Sequence, residues 1–199
     1  MTTQLFLIRH CMTDYTKQQR YCGWRDPSLN ADGRNQAKLL KSQITGEKID
    51  AVYCSPLRRV RETAELLFPQ GTIVVDDRLK ELNFGSFEGL THQEAMSQYP
   101  DLYNQWLHSP YSCQPPGGES VKGLFSRVVD FLDQALRQHH GKRIVVLTHG
   151  GPIKVMTGYL MKIDPEDIWG IMVDSASISM FIMEDGRLVE HFLNKRLGE

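Results

Sequence analysis

Cysteine is scarce, and none of the four are spaced as Cys-x-x-Cys. Cys11, Cys22, Cys54 and Cys113 therefore form neither a disulfide framework nor the paired local ligands of a soft-metal site. They read as free thiols of a reducing, cytoplasmic compartment. Charge of one sign is missing too: 23 Lys+Arg stand against 24 Asp+Glu, a formal net charge of −1. Neither nucleic acid nor a membrane surface is expected as a partner. No apolar run approaches the roughly 18 residues of a membrane span. Met1-Thr2-Thr3-Gln4 starts neither a basic n-region nor a long apolar segment, so no signal peptide is expected. Internal repeats, low-complexity tracts and convincing linkers are absent. With 199 residues, 41% of them hydrophobic and 24% charged, the chain reads as one well-filled domain over 1–199, monomer or homodimer.

Against that plain background two short apolar runs end alike. Leu5-Phe6-Leu7-Ile8 runs into Arg9-His10, and Ile144-Val145-Val146-Leu147 runs into Thr148-His149-Gly150. Both runs are aliphatic and too short for helices, so both read as buried strands. Each places a histidine where its strand stops, and in open α/β sheets the C-terminal strand ends form the ligand crevice. Two imidazoles and at least one guanidinium meeting there suit an anionic phosphoryl group.

The rest of the chain alternates strand and helix. Asn30 reads as the N-cap of a helix with Ala37, Leu40 and Ile44 on one face. Ala51-Val52-Tyr53-Cys54 reads as a strand, after which Ser55-Pro56 caps and opens a helix with Val60, Ala64 and Leu67 inward. Thr72-Ile73-Val74-Val75 is a third strand, and Leu79 to Gly89 a loop. Thr91-His92-Gln93-Glu94 has the capping-box pattern. From Val121 to Leu136 apolar residues recur at helical spacing, the strongest amphipathic helix in the chain. Gly150-Gly151-Pro152 opens another helix, and strands flanking Asp185-Gly186 read as a closing hairpin. The expected architecture is an α/β/α sandwich on a mainly parallel, mixed sheet. The proline- and glycine-rich stretch 110–118 is expected to cover the site.

Four further segments fit phosphoryl chemistry. Ser55-Pro56-Leu57-Arg58-Arg59 sets arginine at a helix start, where free N–H groups and the positive dipole end favour anions. Glu81 lies in a loop, Gly117-Gly118-Glu119-Ser120 precedes the long helix, and Thr148-His149-Gly150 completes the set. Taken in order, these motifs resemble the histidine phosphatase superfamily, phosphoglycerate mutase-like branch. The opening motif stands as Arg9-His10-Cys11-Met12-Thr13. The following Gly-to-Ala pattern runs from Gly23 to Ala37, with Asp26, Gly33 and Gln36 in place. The acidic motif runs from Glu81 to Gly89.

The resemblance implies a role for each position. His10 is the expected nucleophile, forming a phosphohistidine. Arg9, Arg59 and His149 are expected to bind the phosphoryl oxygens, with Thr16, Gly23 and Gly150 lining the same site. No metal and no cofactor is expected, because the guanidinium groups supply the charge. Glu81 matches the proton donor and must carry its proton at the outset. The resemblance favours a phosphatase over a mutase because residues 90–118 leave little room for a mutase lid. Its wording is nearest to phosphatases acting on α-ribazole 5′-phosphate; phosphoserine and other small phosphomonoesters are alternatives.

Each residue also has a plain reading. Arg58, Arg59 and Arg61 can form a solvated helix face, Glu81 and Glu88 can be surface carboxylates, and Glu119-Ser120 can be only a helix start. His92, His108, His139, His140 and His191 match no motif, and Trp106 reads as core. Two departures stand out. Cys11 replaces a glycine beside the nucleophile and is expected to be acidic and oxidisable. Thr16 replaces an asparagine. A non-catalytic phospho-ligand binder and a metal-dependent hydrolase built on His10, His149 and the cysteines are the rival functions.

Overall fold

The computed structural model describes residues 1–44, 48–196 and 198. Strand β1 (Thr2–Arg9) leads into a short helix α1 (Asp14–Lys17) and then α2 (Ala31–Ile44). Next come β2 (Ala51–Cys54), α3 (Arg58–Leu67) and β3 (Ile73–Val75). Two 3-10 turns, Asp77–Leu79 and Gly85–Phe87, flank Glu81. They are followed by α4 (His92–Gln98), α5 (Pro100–His108), α6 (Val121–Gln138), β4 (Arg143–Thr148) and α7 (Gly150–Met161). The hairpin β5 (Ile178–Glu184) and β6 (Arg187–Lys195) closes the chain.

The strands form one sheet in the order β3-β2-β4-β1-β5-β6. β3, β2, β4 and β1 are mutually parallel, while β5 runs antiparallel to both its neighbours. The mixed, mainly parallel sheet expected from the sequence is therefore present, with the hairpin at its edge. Its centre is buried on both faces, which is why β1 and β4 are continuous apolar runs rather than alternating ones. Leu5, Leu7, Ile144 and Val146 face the core under α6 and α7. Ile8, Val145 and Leu147 face the second core, against Ala37 and Leu40 of α2 and Val60 and Ala64 of α3.

β1 and β4 pair in register up to Arg9 opposite Thr148. The chain then leaves β1 toward α2 on one face and leaves β4 into α7 on the other. This divergence opens the crevice in which an α/β sheet binds ligands.

Local signals account for most boundaries. The Asn30 side chain accepts from Gly33 N at 2.8 Å at the start of α2. Thr91 and Glu94 form the full capping box of α4. The Ser120 hydroxyl accepts from Gly123 N at 3.2 Å and caps α6. The turn Asp185-Gly186 has φ of 47° and 80°, the left-handed pair that suits a tight hairpin. The start of α3 departs from expectation. It begins at Arg58 with Leu57 at the cap; the Ser55 hydroxyl meets Leu57 N at 3.4 Å and His149 Nε2 at 2.8 Å, ahead of the helix. The helix start is completed from a distance by Asp26, whose carboxylate accepts from Arg58 N at 2.5 Å.

Candidate active site

His10 leaves β1 with its backbone N–H on Thr148 O at 3.0 Å, so the two strand ends are pinned together. Its ring is 4% exposed. Nδ1 lies 2.8 Å from the Cys11 carbonyl; a carbonyl can only accept, so Nδ1 carries the proton and Nε2 keeps its lone pair. Arg59 Nε donates to that Nε2 at 3.3 Å. Burial, then Arg59 and Arg9, push the His10 pKa well below the ordinary histidine value. A neutral imidazole with its lone pair on Nε2 is the form a nucleophile needs, and the long contact from Arg59 must give way when that lone pair attacks.

The loop after His10 is held by residues of the long Gly-to-Ala pattern. Gln36 accepts from Met12 N at 2.8 Å. A Cβ on Gly33 would stand 2.1 Å from Met12 O, so only glycine lets α2 approach this closely. Thr13 caps α1 by accepting from Thr16 N, and its hydroxyl meets that of Thr16 at 3.1 Å. Thr16 lies on the wall of the crevice.

Arg59 is fully buried. Its guanidinium donates to the Arg25, Cys22 and Gly23 carbonyls at 2.8, 3.1 and 2.8 Å. Arg9 Nη1 donates to Val173 O at 2.7 Å, and its Nε is buried with no partner. Among the described residues neither guanidinium is in an ion pair. Arg59 is offset by carbonyl dipoles, and Arg9 by the Val173 carbonyl together with the nearby charges of Glu81 and Asp174; the two guanidinium groups still make a local field that favours an anion. His149 stands beside the two cations as a neutral imidazole. Its ring centroid is 5.2 Å from that of His10, Nε2 meets Ser55 Oγ at 2.8 Å, and Nδ1 is buried without a partner. Burial and the Arg59 charge, then His10 and Arg9, hold the His149 pKa well below its usual value.

Glu81 faces this group from the loop after β3. Its Oε1 accepts from Leu82 N at 2.9 Å, and both oxygens accept from Gly151 N at 3.1 and 3.2 Å. Its carbonyl is held by Trp24 Nε1 and Arg127 Nη2, each at 3.0 Å. Thr148 Oγ1 donates to Leu79 O at 2.6 Å and ties this loop to the end of β4. A cavity of about 160 Å³ is lined by Arg9, His10, Thr16, Arg20, Tyr21, Cys22, Glu81 and Phe84, while Arg59 and His149 adjoin His10 without lining it.

Arg9, His10, Arg59, Glu81, His149 and Thr16 thus converge, and Gly150 lies beside Arg9 and Glu81, 3.8 Å from each at its Cβ position. Gly23 is placed differently. Its N–H donates to Glu88 Oε2 at 3.1 Å, while its carbonyl serves Arg59. Glu88 is the clamp of that loop, also accepting from Trp24 N, Arg25 N and Phe84 N. The stretch 110–118 backs the wall rather than lining the cavity: Pro116 O accepts from Ser86 N at 2.9 Å.

Cys11 is a correction. Its thiol is fully buried in the second core, and burial pushes its pKa up to about 12. An acidic thiol at the pocket is therefore excluded. Cys22 reaches the pocket wall, and burial raises it to about 11. Arg58 and Arg61 take the plain reading, exposed and paired with Glu62 and Glu65 one turn on. Trp106 is core, and His92 and His139 bond the tyrosines Tyr103 and Tyr53.

Sequence reading missed Arg20, Tyr21 and Phe84 on the wall, and Arg127 behind Glu81. Arg127 carried a usable signal. It lies three residues after Leu124 and four before Phe131 on the buried stripe of α6, where a charge needs partners.

The histidine phosphatase superfamily (branch 1) family model matches residues 5–196. Phosphoserine phosphatase 1 of Hydrogenobacter thermophilus is 34% identical over 193 residues, 96% of this chain and 92% of that protein. The α-ribazole phosphatase structure from Shigella flexneri superposes with a TM-score of 0.90 at 27% identity, covering 97% of this chain and 96% of that one. A 2,3-bisphosphoglycerate-dependent phosphoglycerate mutase of Parvibaculum lavamentivorans is 26% identical over 93% of this chain and 92% of its own length. Chain length alone therefore does not separate a mutase from a phosphatase. On the family match and the relative at one-third identity, the chain belongs to the histidine phosphatase superfamily, branch 1.

Proposed function

We propose that the chain is a metal-independent phosphomonoesterase working through a phosphohistidine on His10. The observation that carries this is the state of His10: a buried, neutral imidazole whose Nε2 lone pair faces Arg59, between two guanidinium groups that make no direct ion pair among the described residues. His10 Nε2 attacks phosphorus, the N–P bond forms, and the P–O bond to the leaving oxygen breaks. Arg9 and Arg59 stabilise the phosphoryl oxygens as charge builds. His149 meets the Ser55 hydroxyl through Nε2, and with Ser55 as donor the His149 proton sits on the unpartnered Nδ1, from which it is offered to a third oxygen. Glu81 gives its proton to the leaving alkoxide and takes one from the attacking water. The N–P bond then breaks, its electron pair returns to Nε2, and inorganic phosphate leaves. Thr16 and Gly150 contribute polar lining beside the arginines.

A single domain over 1–199 is supported by the continuous sheet and the length of the family match. Among the described residues no helix is long and apolar enough to cross a membrane. The four free thiols suit a cytoplasmic setting.

The substrate is a small phosphomonoester. The aromatic wall of Tyr21 and Phe84, with Tyr103 and Trp106 behind it, suits the flat base of α-ribazole 5′-phosphate, as does the likeness to the Shigella flexneri structure. The cavity of about 160 Å³ and the Hydrogenobacter relative favour the smaller phosphoserine as a second reading. Phosphate release without added metal decides between them, run with α-ribazole 5′-phosphate, phosphoserine, 3-phosphoglycerate and p-nitrophenyl phosphate, and with His10→Ala beside the wild type. One natural ester hydrolysed far faster than the rest names the substrate. Transfer from 2,3-bisphosphoglycerate to phosphoglycerate without net phosphate release makes the chain a mutase. Turnover by His10→Ala overturns the proposal.

A further inference from the structure

Behind Glu81 lies a guanidinium with every donor committed. Arg127 of α6 has five N–H groups, and all five are used. Nε and Nη2 take the two oxygens of Glu119 at 2.8 Å each. Nη1 donates to Arg78 O at 2.7 Å and to Lys80 O at 2.6 Å, and Nη2 also donates to Glu81 O at 3.0 Å. Three carbonyls of one loop, ending at Glu81 itself, therefore converge on a single side chain. The pair is largely shielded, with the Arg127 and Glu119 side chains 19% and 20% exposed. Glu119 is fixed in turn: its N–H donates to Asn83 O at 2.9 Å, on the far side of Glu81. Glu119, just ahead of α6, and Arg127, in its second turn, thus grip the loop on both sides of Glu81.

We infer that Arg127, oriented by Glu119, is the positioning residue that holds the Glu81 carboxyl at the leaving-group oxygen. Neither residue lines the cavity; Arg127 reaches Glu81 through its backbone carbonyl, and its charge also bears on His149. The inference rests on the acid role proposed above for Glu81. Glu81 itself has one bond to its neighbour Leu82 N and a shared one to Gly151 N, and these fix the carboxylate only if its backbone stays in place. The planar fork of arginine can span a carboxylate and three carbonyls at once; the single ammonium of lysine cannot.

The acid role has a signature that general loss of structure lacks. An alkyl phosphate needs a proton on its leaving oxygen, whereas p-nitrophenolate leaves without one. The test compares kcat/KM for β-glycerophosphate and for p-nitrophenyl phosphate in the wild type, Glu81→Gln, Arg127→Lys, Arg127→Gln and Glu119→Gln. The ratio of the two is independent of the active fraction of each preparation, so partial unfolding cancels. Glu81→Gln is expected to depress the alkyl substrate about 100-fold more than the aryl one. Arg127→Gln and Arg127→Lys are expected to shift the ratio the same way by about tenfold or more, and Glu119→Gln by less. If Glu81→Gln shifts the ratio and neither Arg127 variant nor Glu119→Gln does, the positioning role is wrong while the acid role stands. If Glu81→Gln leaves the ratio unchanged, the acid role itself is wrong and the inference goes with it.

Discussion

Replacing Gly151 by alanine separates the chemistry of this site from its stability. A Cβ at Gly151 would stand 2.2 Å from Glu81 Oε1, 3.4 Å from Glu81 Cδ and 3.1 Å from Leu124 Cδ2. Ordinary contact begins near 3.4 Å, so the carboxylate oxygen must retreat by about 1 Å. A displacement of that size at a reacting group costs on the order of 100-fold in rate. The folded state has little to lose, because the atom displaced is the end of a flexible side chain. Gly151 is the second residue of α7, where alanine suits the helical backbone at least as well as glycine. The expected Gly151→Ala enzyme therefore melts within a few degrees of the wild type and hydrolyses alkyl phosphates about 100-fold more slowly. Thermal unfolding followed by circular dichroism and kcat/KM on β-glycerophosphate read the two effects independently. Wild-type kcat/KM in a folded Gly151→Ala enzyme would refute the placement of Glu81 as the acid. A collapse in melting temperature would show that contact with Leu124, not the carboxylate, dominates the site.

The remaining predictions follow from burial and charge. His10 and His149 are held neutral in the folded protein, so below the ordinary histidine pKa near 6.5 the unfolded chain takes up protons that the native state refuses. Stability should fall as pH drops from 7.5 to 5, by up to about 1.4 kcal/mol per pH unit per histidine. Denaturant titrations should show a shallower fall in His10→Ala/His149→Ala; an equal slope contradicts the burial of neutral rings. The Cys11 thiol, at about 12 and fully buried, should resist peroxide and aromatic disulfide reagents in the native protein, with mass spectrometry finding label first on Cys22 or Cys113. Glu88→Gln leaves one acceptor oxygen for four N–H groups and should raise KM by loosening the Gly23–Arg25 loop around Arg59; an unchanged KM means that the loop holds itself. Activity should survive EDTA, because guanidinium groups supply the positive charge. Loss of activity restored by a divalent cation would favour a metal-dependent hydrolase.

Much of the fold was legible because its signals are local. The two central strands announced themselves as continuous aliphatic runs, since a sheet covered on both faces needs no polar side. Asn30, Thr91 and Ser120 mark helix starts, and Asp185-Gly186 marks a hairpin. The catalytic candidates were legible from residue type at strand ends together with ordered motifs. What stayed hidden depends on tertiary direction. Ser55 followed by Pro56 looks like a helix cap, yet α3 starts at Arg58 and the Ser55 hydroxyl also meets a histidine brought in from the far strand. Cys11 adjoins His10 in sequence, but the chain turns its thiol into the opposite core. Gly23 was expected to face the phosphoryl group, and its amide is taken by Glu88 across the loop. Arg127 pairs with a loop more than forty residues away, which no spacing rule predicts, although a charge on a buried stripe asks for a partner.

The central claim is the covalent intermediate on His10. Rapid mixing with 32P-labelled substrate, quenching in alkali and mapping of the labelled peptide tests it most directly, since phosphohistidine survives base and is lost in acid. One labile phosphoryl group on His10, formed before phosphate release and absent from His10→Ala, is the predicted result. Steady turnover with no label on His10, or turnover that persists in His10→Ala, would contradict it.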